Sequence, residues 1–206
     1  DIKAYKPKEN SLCSGQVLQC PYDFERTKLI VREMTDLMAL SLVEKGLATK
    51  QMVLTIGYDI ENLTDPQRRK GYCGEVVTDR YGRKIPKHAH GTENLERYTS
   101  SARLLTDAVL KLYERIADPG LLVRRITVTA AHVREESGIR ETKQPEQLDL
   151  FTDYEALEKR RREEERALER EKKMQQAVLE IKKKYGKNAI LKGMNLEEGA
   201  TATRRN

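Results

Sequence analysis

The chain has 206 residues, enough for one domain of ordinary size and an appendage. A hydrophobic fraction of 38%, a charged fraction of 35%, only 2 Phe and no Trp exclude one compact globule throughout, so we expect part of the chain to be solvated helix or tail. The formal charge of +6 favours a polyanionic partner. No stretch resembles a membrane span or a signal-peptide core, which predicts a soluble, cytoplasmic protein with no membrane partner.

The sequence contains no recognisable constellation of catalytic residues or metal ligands. His88 and His90 would point to one side of a strand, as metal ligands do, but no second ligand pair accompanies them. Asp59 and Glu61 are candidate Mg²⁺ ligands, yet without a third carboxylate or a Lys nearby we favour a turn that ends a strand. The three cysteines have no zinc-ligand spacing, which indicates reduced thiols. We therefore expect no metal and no cofactor for this chain.

The first part of the chain alternates strand and helix after a polar, basic linker at residues 1–10. This linker begins without Met, which is typical of a piece of a longer protein. A first strand is predicted over 12–19. Asp23 is a suitable cap for a helix over about 24–45, in which apolar residues recur at helical spacing. Alternating apolar residues then predict a strand over 52–58.

A hairpin is predicted next, because residues 76–77 and Ile85 are apolar and flank the turn-forming stretch 79–82, Asp-Arg-Tyr-Gly. The second arm is predicted to run over about 83–95. Pro86 within this arm indicates an edge strand or a bulge, because proline cannot donate to a ladder. The arm is rich in basic residues, so we expect this part of the sheet to be positively charged.

The domain is predicted to close with a second helix and a last strand. Apolar residues at helical spacing predict the helix over 100–116, and the stretch 118–120, Asp-Pro-Gly, ends it. The strand is predicted over 121–133. Its alternation gives an apolar side with Ile126, Val128 and Ala130 and a polar side with Arg125, Thr127 and Thr129.

The order of these elements predicts the fold class. Strand, helix, strand, strand, helix, strand gives an α+β domain over residues 11–136, with a four-stranded antiparallel sheet and two helices on one face (β-α-β-β-α-β). The apolar side of the last strand would pack against the helices. The other face of the sheet would remain open, polar and basic, and we expect a ligand there.

The open face offers donors for phosphate groups. Basic residues cluster on the third and fourth predicted strands, and a Ser-Gly-Gln stretch on the first adds backbone and side-chain donors. This mixture suits phosphate contacts that position a protein on nucleic acid without reading its sequence. A solvated sheet face is the alternative. The candidate DNA-binding residues are Ser14, Gly15, Gln16, Arg83, Lys84, Lys87, His88, Arg124 and Arg125.

A polar connector, residues 137–152, contains the short linear motif 147–151, Gln-Leu-Asp-Leu-Phe. Pro145 before the motif disfavours regular structure, and Thr152 and Glu155 after it fit a capping box at the start of a helix. Large apolar side chains displayed in an exposed connector indicate a protein partner. The alternative, that they dock on the chain's own core, is left open by these residues.

The rest of the chain is predicted to be a charged helix over 153–186 and a flexible tail over 187–206. Acidic and basic residues often lie four apart in this helix, which favours a solvated helix on its own. A thin apolar stripe would instead permit a short coiled coil or docking on the domain, and self-association through it is possible but not favoured. The stripe consists of Met174, Val178, Ile181 and Tyr185.

Residues 147–151 resemble the sliding-clamp-binding pentapeptide of bacterial DNA polymerases and repair proteins. The domain before them resembles the little finger of a Y-family translesion DNA polymerase, UmuC-like and of the polymerase V type, from Gram-positive bacteria. The similarity is carried by Tyr-Lys-Pro-Lys, Ser-Gly-Gln-Val-Leu, Tyr-Gly-Arg-Lys-Ile-Pro-Lys and His-Gly-Thr-Glu-Asn-Leu, at residues 5–8, 14–18, 81–87 and 90–95. It covers about residues 5–151.

This resemblance implies a role in DNA damage tolerance (DNA repair, SOS response, translesion synthesis) at the nucleoid. The little finger holds template–primer duplex across its major-groove side, through the phosphates. Arg125 and Arg124 fall where family members have phosphate-binding arginines, and Lys84 and Lys87 lie near positions that contact the template backbone. Thr129 stands where some relatives have a basic residue, which predicts a weaker grip there.

The resemblance also implies roles for the motif residues on a bacterial sliding clamp. Gln147 would occupy a small polar pocket, and Leu150 and Phe151 a hydrophobic cleft, assisted by Leu148, with Asp149 completing the motif. The palm with its carboxylates, the fingers and the thumb are not among the 206 residues. We therefore expect no DNA synthesis by this chain alone, and Mg²⁺ only in the palm of a parent DNA-directed DNA polymerase.

Two other functions remain as alternatives. An RNA-recognition module has the same order of elements, but it stacks bases on aromatic residues of its central strands, whereas the outward residues predicted here are Arg and Thr. A coiled-coil adaptor would use the apolar stripe of the charged helix and leave the globular domain passive.

Overall fold

The computed structural model describes residues 10–139 and 154–204. The predicted α+β fold class is confirmed. Short 3₁₀ turns lie at 136–138, 193–196 and 202–204. The strands and helices are β1 (Leu12–Tyr22), α1 (Phe24–Glu44), β2 (Leu47–Tyr58), α2 (Glu61–Thr64), α3 (Pro66–Gly71), β3 (Val76–Thr78), β4 (Lys84–Pro86), β5 (Ala89–Thr99), α4 (Ala102–Ile116), β6 (Val123–Ala131), β7 (Arg134–Glu135) and α5 (Tyr154–Tyr185).

The main sheet has the strand order β1-β6-β2-β5, and all neighbours are antiparallel. The two residues of β7 pair with the start of β2. Side chains alternate between the two faces, as the strand geometry requires. Met52, Leu54 and Ile56 of β2 face the helices and are fully buried, and the intervening residues face the other side.

Helices α1 and α4 cover one face of the sheet and enclose the core. The Asp23 side chain caps α1 by accepting a hydrogen bond from the Arg26 amide at 2.8 Å, and Gly46 with φ +62° follows its end. The Tyr113 hydroxyl of α4 donates to the Phe24 carbonyl at 2.9 Å, and burial raises the pKa of this hydroxyl. The start of α1 is thereby joined to α4.

The hairpin of β3 and β4 forms a sheet of its own, separate from the main sheet. The sequence predicted one continuous arm over about 83–95, whereas the structure divides it into β4 and β5. Pro86 is the last residue of β4 and has no N–H to donate, so the ladder does not continue through it. The hairpin therefore leads into β5 through Lys87 and His88 only.

Helix α5 lies against the domain along a polar seam. The buried Gln175 side chain donates to the Ser100 carbonyl at 3.2 Å. Glu171 accepts from the Ser101 hydroxyl at 2.6 Å and from the Arg103 amide at 3.0 Å, and so caps the start of α4. Two ion pairs, Arg97–Glu164 at 2.9 Å and Lys172–Glu136 at 2.8 Å, lie along the same seam.

Most of the apolar stripe predicted on this helix is exposed. Met174 and Tyr185 are 62% and 67% exposed, and Ile181 is also exposed. Only Val178 is half-buried. Three of the four stripe residues thus remain open to solvent, and the seam includes hydrogen bonds and ion pairs.

The segment after α5 turns back over the outer side of α1. Lys182 ends the helix by donating to the Lys187 and Ile190 carbonyls at 2.6 and 3.0 Å, and burial lowers the pKa of its amine. Farther on, Lys192 forms an ion pair with Asp36 of α1. Residues 187–204, predicted to be flexible from their composition, thus contact the domain in the structure.

Glu33 in the middle of α1 is the main anchor of this segment. Its carboxylate is 1% exposed and accepts from the Asn195 amide at 2.8 Å and from the Thr201 backbone N–H at 2.9 Å. The Thr201 hydroxyl and the Ala202 N–H lie at 3.3 and 3.4 Å. A buried carboxylate requires such donors, because transfer of an unpaired charge from water is costly.

No helix within 10–139 and 154–204 combines the length and apolarity needed to cross a membrane.

Candidate nucleic-acid interface

The uncovered face of the main sheet consists of small and polar residues. Where the four strands are in register it presents fourteen side chains or glycines, of which none is acidic and none is aromatic. Arginine and histidine supply its two ionisable cationic groups. The fourteen residues are Cys13, Gly15 and Val17 of β1; Arg125, Thr127, Thr129 and Ala131 of β6; Gln51, Val53, Thr55 and Gly57 of β2; and His90, Thr92 and Asn94 of β5, together called the open face. Because none of these side chains is acidic, the open face carries no negative charge that would repel a phosphate group.

Arg125 gives the open face its positive charge at one end. Its side chain is exposed, and within the described parts of the chain the guanidinium has no hydrogen-bond or ion-pair partner. Gly57 lies opposite it, and a Cβ atom at Gly57 would be only 3.2 Å from the Arg125 Cβ. Glycine on this side therefore leaves the arginine side chain room to lie over β2.

The basic residues of the hairpin meet the same end of the sheet. β5 begins there, with Ala89 opposite Ile56. Lys84 and His88 are exposed and, like Arg125, have no ion-pair partner among the residues described. They are thus available for anions without breaking an existing contact.

Two other predicted residues of the hairpin are held by carboxylates. Arg83 pairs with Asp79 at 2.7 Å, and Lys87 pairs with Glu75 at 2.7 Å. Both cationic side chains are more than half exposed. Exposed ion pairs of this kind contribute little to stability, so a phosphate can compete for either cation.

Arg124 lies on the other side of β6 from Arg125. Its guanidinium donates to the Gln19 carbonyl at 2.9 Å and lies 3.8 Å from the Asp59 carboxylate. These contacts tie β6 to the end of β1 and to the loop after β2. Arg124 is therefore held at the rim of the sheet, while its neighbour is left on the open face.

The structure separates the predicted stretch at the start of β1. Gly15 lies on the open face opposite Thr127, whereas Ser14 and Gln16 pair with Val128 and Ile126 and so face the helices. The Gln16 amide donates to the Thr201 hydroxyl of the C-terminal segment at 2.9 Å. Only one residue of the three is thus brought together with Arg125, because alternate residues of a strand point to opposite faces.

The predicted histidine pair does not gather further ligands. His90 lies on the open face with its Nδ1 atom 2.9 Å from the Thr55 hydroxyl. Within 10–139 and 154–204 the structure has no group of three or more side chains of the types that hold a metal ion. Asp59 accepts from the Glu61 amide at 2.8 Å, which is the arrangement of a turn.

Asp79 organises the hairpin tip through its carboxylate. The hydrogen bond from the Arg83 side chain is the main cause that lowers the Asp79 pKa below its ordinary value of 3.8. Because the pKa is lowered in the folded chain, the carboxylate stabilises the tip above about pH 3.8 and this contribution is lost as the pH falls through the folded-state value.

We expect the NMR signal of the Tyr81 amide, which donates to Asp79 at 2.8 Å, to titrate with a midpoint below 3.8. In Asp79→Asn this titration should disappear. A midpoint at or above 3.8 in the unaltered chain would show that the ion pair does not form in solution.

The motif Gln147, Leu148, Asp149, Leu150 and Phe151 lies outside the described residues. It falls between the end of the sheet domain at Ile139 and the start of α5 at Tyr154. The prediction that it binds a clamp therefore stays a prediction.

A family model described as the impB/mucB/samB family C-terminal domain matches residues 11–150. The chain belongs to this family. The matched residues span the sheet domain and the hairpin and end at residue 150, one residue before the end of the motif, and they correspond to the C-terminal little-finger domain of a UmuC-like Y-family polymerase. The predicted resemblance is confirmed. A search of curated proteins finds no match to the chain.

Sequence reasoning did not identify three residues that the structure makes prominent. Glu33 and Gln175 are polar residues on helices, and both are buried because a distant part of the chain covers them. Tyr81 was assigned only to a turn, although it is 66% exposed at the hairpin tip. The signal that identifies Tyr81 is an aromatic residue between Arg80 and Arg83 in a predicted turn.

Proposed function

We propose that this chain holds template–primer duplex for a translesion DNA polymerase and docks the enzyme on a bacterial sliding clamp. The observation that carries the proposal is the acid-free open face with an unpaired Arg125 at its basic end, in the C-terminal domain of this polymerase family. Damaged templates demand a grip that does not depend on the bases. Phosphate contacts satisfy this demand, because they carry no sequence information.

The chemistry of the open face supports a DNA backbone as its ligand. Arg125 and Lys84 supply full positive charges, and the hydroxyl of Thr127, two residues along β6 from Arg125, adds a neutral donor. Gly15 and Gly57 have no side chain that projects from the sheet, so a phosphate backbone can approach β1 and β2 closely at these positions. Neutralising several phosphates releases counterions, so the affinity is expected to fall steeply with salt.

The same surface disfavours RNA recognition by base stacking. Modules of that type present aromatic side chains on their central strands. The central strands here are β6 and β2, and their open-face residues are Thr, Arg, Ala, Gln, Val and Gly. Duplex held by its phosphates therefore fits this face better than splayed single-stranded bases do.

Docking on a clamp is supported by the type and place of residues 147–151. Gln147 is expected in the polar pocket and Leu150 with Phe151 in the hydrophobic cleft. Tethering to a clamp that encircles DNA raises the effective concentration of a weakly bound domain at the primer end. The phosphate grip and the clamp contact would thus act together, neither needing high affinity on its own.

Arg125→Ala is expected to weaken binding of a template–primer duplex about fivefold, a loss of roughly 1 kcal/mol for one charge-assisted phosphate contact. The slope of log affinity against log salt should fall by about 1. Lys111→Ala is the matched control, because Lys111 is an exposed cation on the outer side of α4. Fluorescence anisotropy across a salt series measures both quantities.

Equal weakening by the two variants would mean that DNA responds to net charge alone. Two duplexes of unrelated sequence should bind alike. A strong preference for one of them would contradict phosphate recognition.

A further inference from the structure

The tip of the β3–β4 hairpin is ordered by one carboxylate. Asp79 accepts from the Tyr81 amide at 2.8 Å, from the Arg83 amide at 2.9 Å and from the Arg83 Nε atom at 2.8 Å. Gly82 has φ +78°, and its amide donates to the Asp79 carbonyl at 3.0 Å. Tyr81, which lies between Asp79 and Gly82 at the tip, is thus held in a defined position.

Tyr81 points out of the protein and is surrounded by positive charge. It is 66% exposed. The guanidinium carbons of Arg80 and Arg83 lie 4.7 and 5.1 Å from its ring centre, and Arg80 donates to its hydroxyl at 2.6 Å. The ring buries little apolar surface against the chain, so its packing contributes little to folding. An exposed aromatic ring flanked by two cations has the chemistry to stack a nucleotide base while the cations contact its phosphates.

The hairpin that carries this ring joins the main sheet at the proposed duplex site. Lys87 and His88 connect β4 directly to β5, whose first residues lie at the Arg125 end of the open face. Within a duplex each base pair is covered by its neighbours. A tyrosine ring at the side of the duplex can therefore stack only on an unpaired base. Such bases are present wherever a primer ends on a longer template.

We propose that Tyr81, with Arg80 and Arg83, is a stacking site for one unpaired nucleotide base next to the duplex. This inference rests on the proposed function and adds a ligand, single-stranded DNA at the junction, that the sheet itself does not recognise. A protein partner at the tip is less well supported, because four of the residues from 80 to 87 are basic and none is acidic.

The test compares three DNA probes by fluorescence anisotropy: a blunt duplex, and the same duplex with either a 5′ or a 3′ overhang of a few nucleotides. Stacking of one base on an aromatic ring adds to the affinity, so one overhang should bind about tenfold more tightly than the blunt duplex. Tyr81→Ala should bring the affinity for that overhang down to that for the blunt duplex. Tyr81→Phe should retain the difference. The preferred overhang identifies the strand that supplies the base.

Tyr185→Ala is the matched control. Tyr185 is a similarly exposed tyrosine, 67%, with the Lys184 amine 5.2 Å from its ring centre, but it lies on α5 away from the hairpin. The overhang preference should persist in this variant. The fluorescence of 2-aminopurine placed in the overhang gives a second readout, since stacking on Tyr81 quenches it.

Three outcomes would overturn the inference. Equal binding of blunt and overhang DNA by the unaltered chain would exclude a stacking site while leaving the duplex grip intact. Equal loss for all three probes in Tyr81→Ala would indicate a duplex contact. Binding of no probe at all would remove the proposed function, and this inference with it.

Discussion

Replacing Gln147, Leu150 and Phe151 together with Ala is expected to reduce binding of this chain to a bacterial sliding clamp by at least about 100-fold. Anchor residues of short interfaces each contribute about 2 kcal/mol or more, and three of the five motif residues are removed at once. The expected affinity of the unaltered chain is micromolar, so the variant should show no measurable binding. Fluorescence anisotropy with a labelled clamp measures the difference.

The matched control for this experiment replaces Met174, Ile181 and Tyr185 with Ala. These residues form an exposed apolar stripe on α5 outside the motif. If binding depends on the motif, the control binds the clamp as the unaltered chain does. Loss of binding in the control would assign the contact to α5. If the unaltered chain does not bind, the motif does not act as a clamp ligand.

Glu33→Ala is expected to release the C-terminal segment from α1 and to lower the free energy of unfolding by about 2 kcal/mol. The carboxylate receives its hydrogen bonds from Asn195, Thr201 and Ala202. Removing it leaves buried donors without an acceptor, which costs about 1 to 3 kcal/mol per site and more at charged groups. If the segment leaves α1, its donors can form hydrogen bonds with water, and this limits the loss of unfolding free energy.

Hydrogen exchange distinguishes this local release from general destabilisation. In Glu33→Ala the Thr201 and Ala202 amides should exchange at rates close to those of an unfolded chain, while amides of β2 and β6 stay protected. Glu44→Ala is the control. Glu44 pairs with Lys183 at 3.3 Å between exposed side chains, so its loss should cost at most about 0.5 kcal/mol and leave Thr201 protected. Unchanged protection in Glu33→Ala would show that the segment is held by other contacts.

Much of the sheet domain follows from local patterns in the sequence. The alternation of Ile126 and Val128 with Arg125 and Thr127 predicts which side of β6 faces the helices, and the structure agrees. Helix α5 was predicted over 153–186 and extends over Tyr154–Tyr185. In both cases a period of two or of about 3.6 residues decides the structure of its own segment.

The contacts made by distant segments could not be derived in that way. The pattern of α1 predicted one buried stripe, yet Glu33 and Asp36 on its other side are also buried, because residues some 160 positions later cover them. Docking of α5 uses Glu171 and Gln175, whereas sequence reasoning looks for apolar side chains at an interface. Polar seams lack this signal, since the same residues are typical of solvated helices.

Only part of the candidate site can be predicted from the sequence, for a related reason. Strand alternation places Gly15 on the open face and turns Ser14 and Gln16 away from it, but the phase of β1 becomes certain only when its partner strand is known. Because β4 ends at Pro86, the basic residues within 83–88 lie in the hairpin and in its connection to β5, and not in the main sheet. The positive charge therefore gathers at one end of the open face instead of spreading along a strand.

The most direct test of the proposed DNA grip is an NMR titration of the isotope-labelled chain with a template–primer duplex, following every backbone amide. The account predicts that the largest shifts cluster at Gly57, Arg125, Thr127 and the connection at 87–90, with small shifts along α4. Shifts concentrated on α4 or α5, or an absence of shifts at saturating duplex, would contradict DNA binding by the open face.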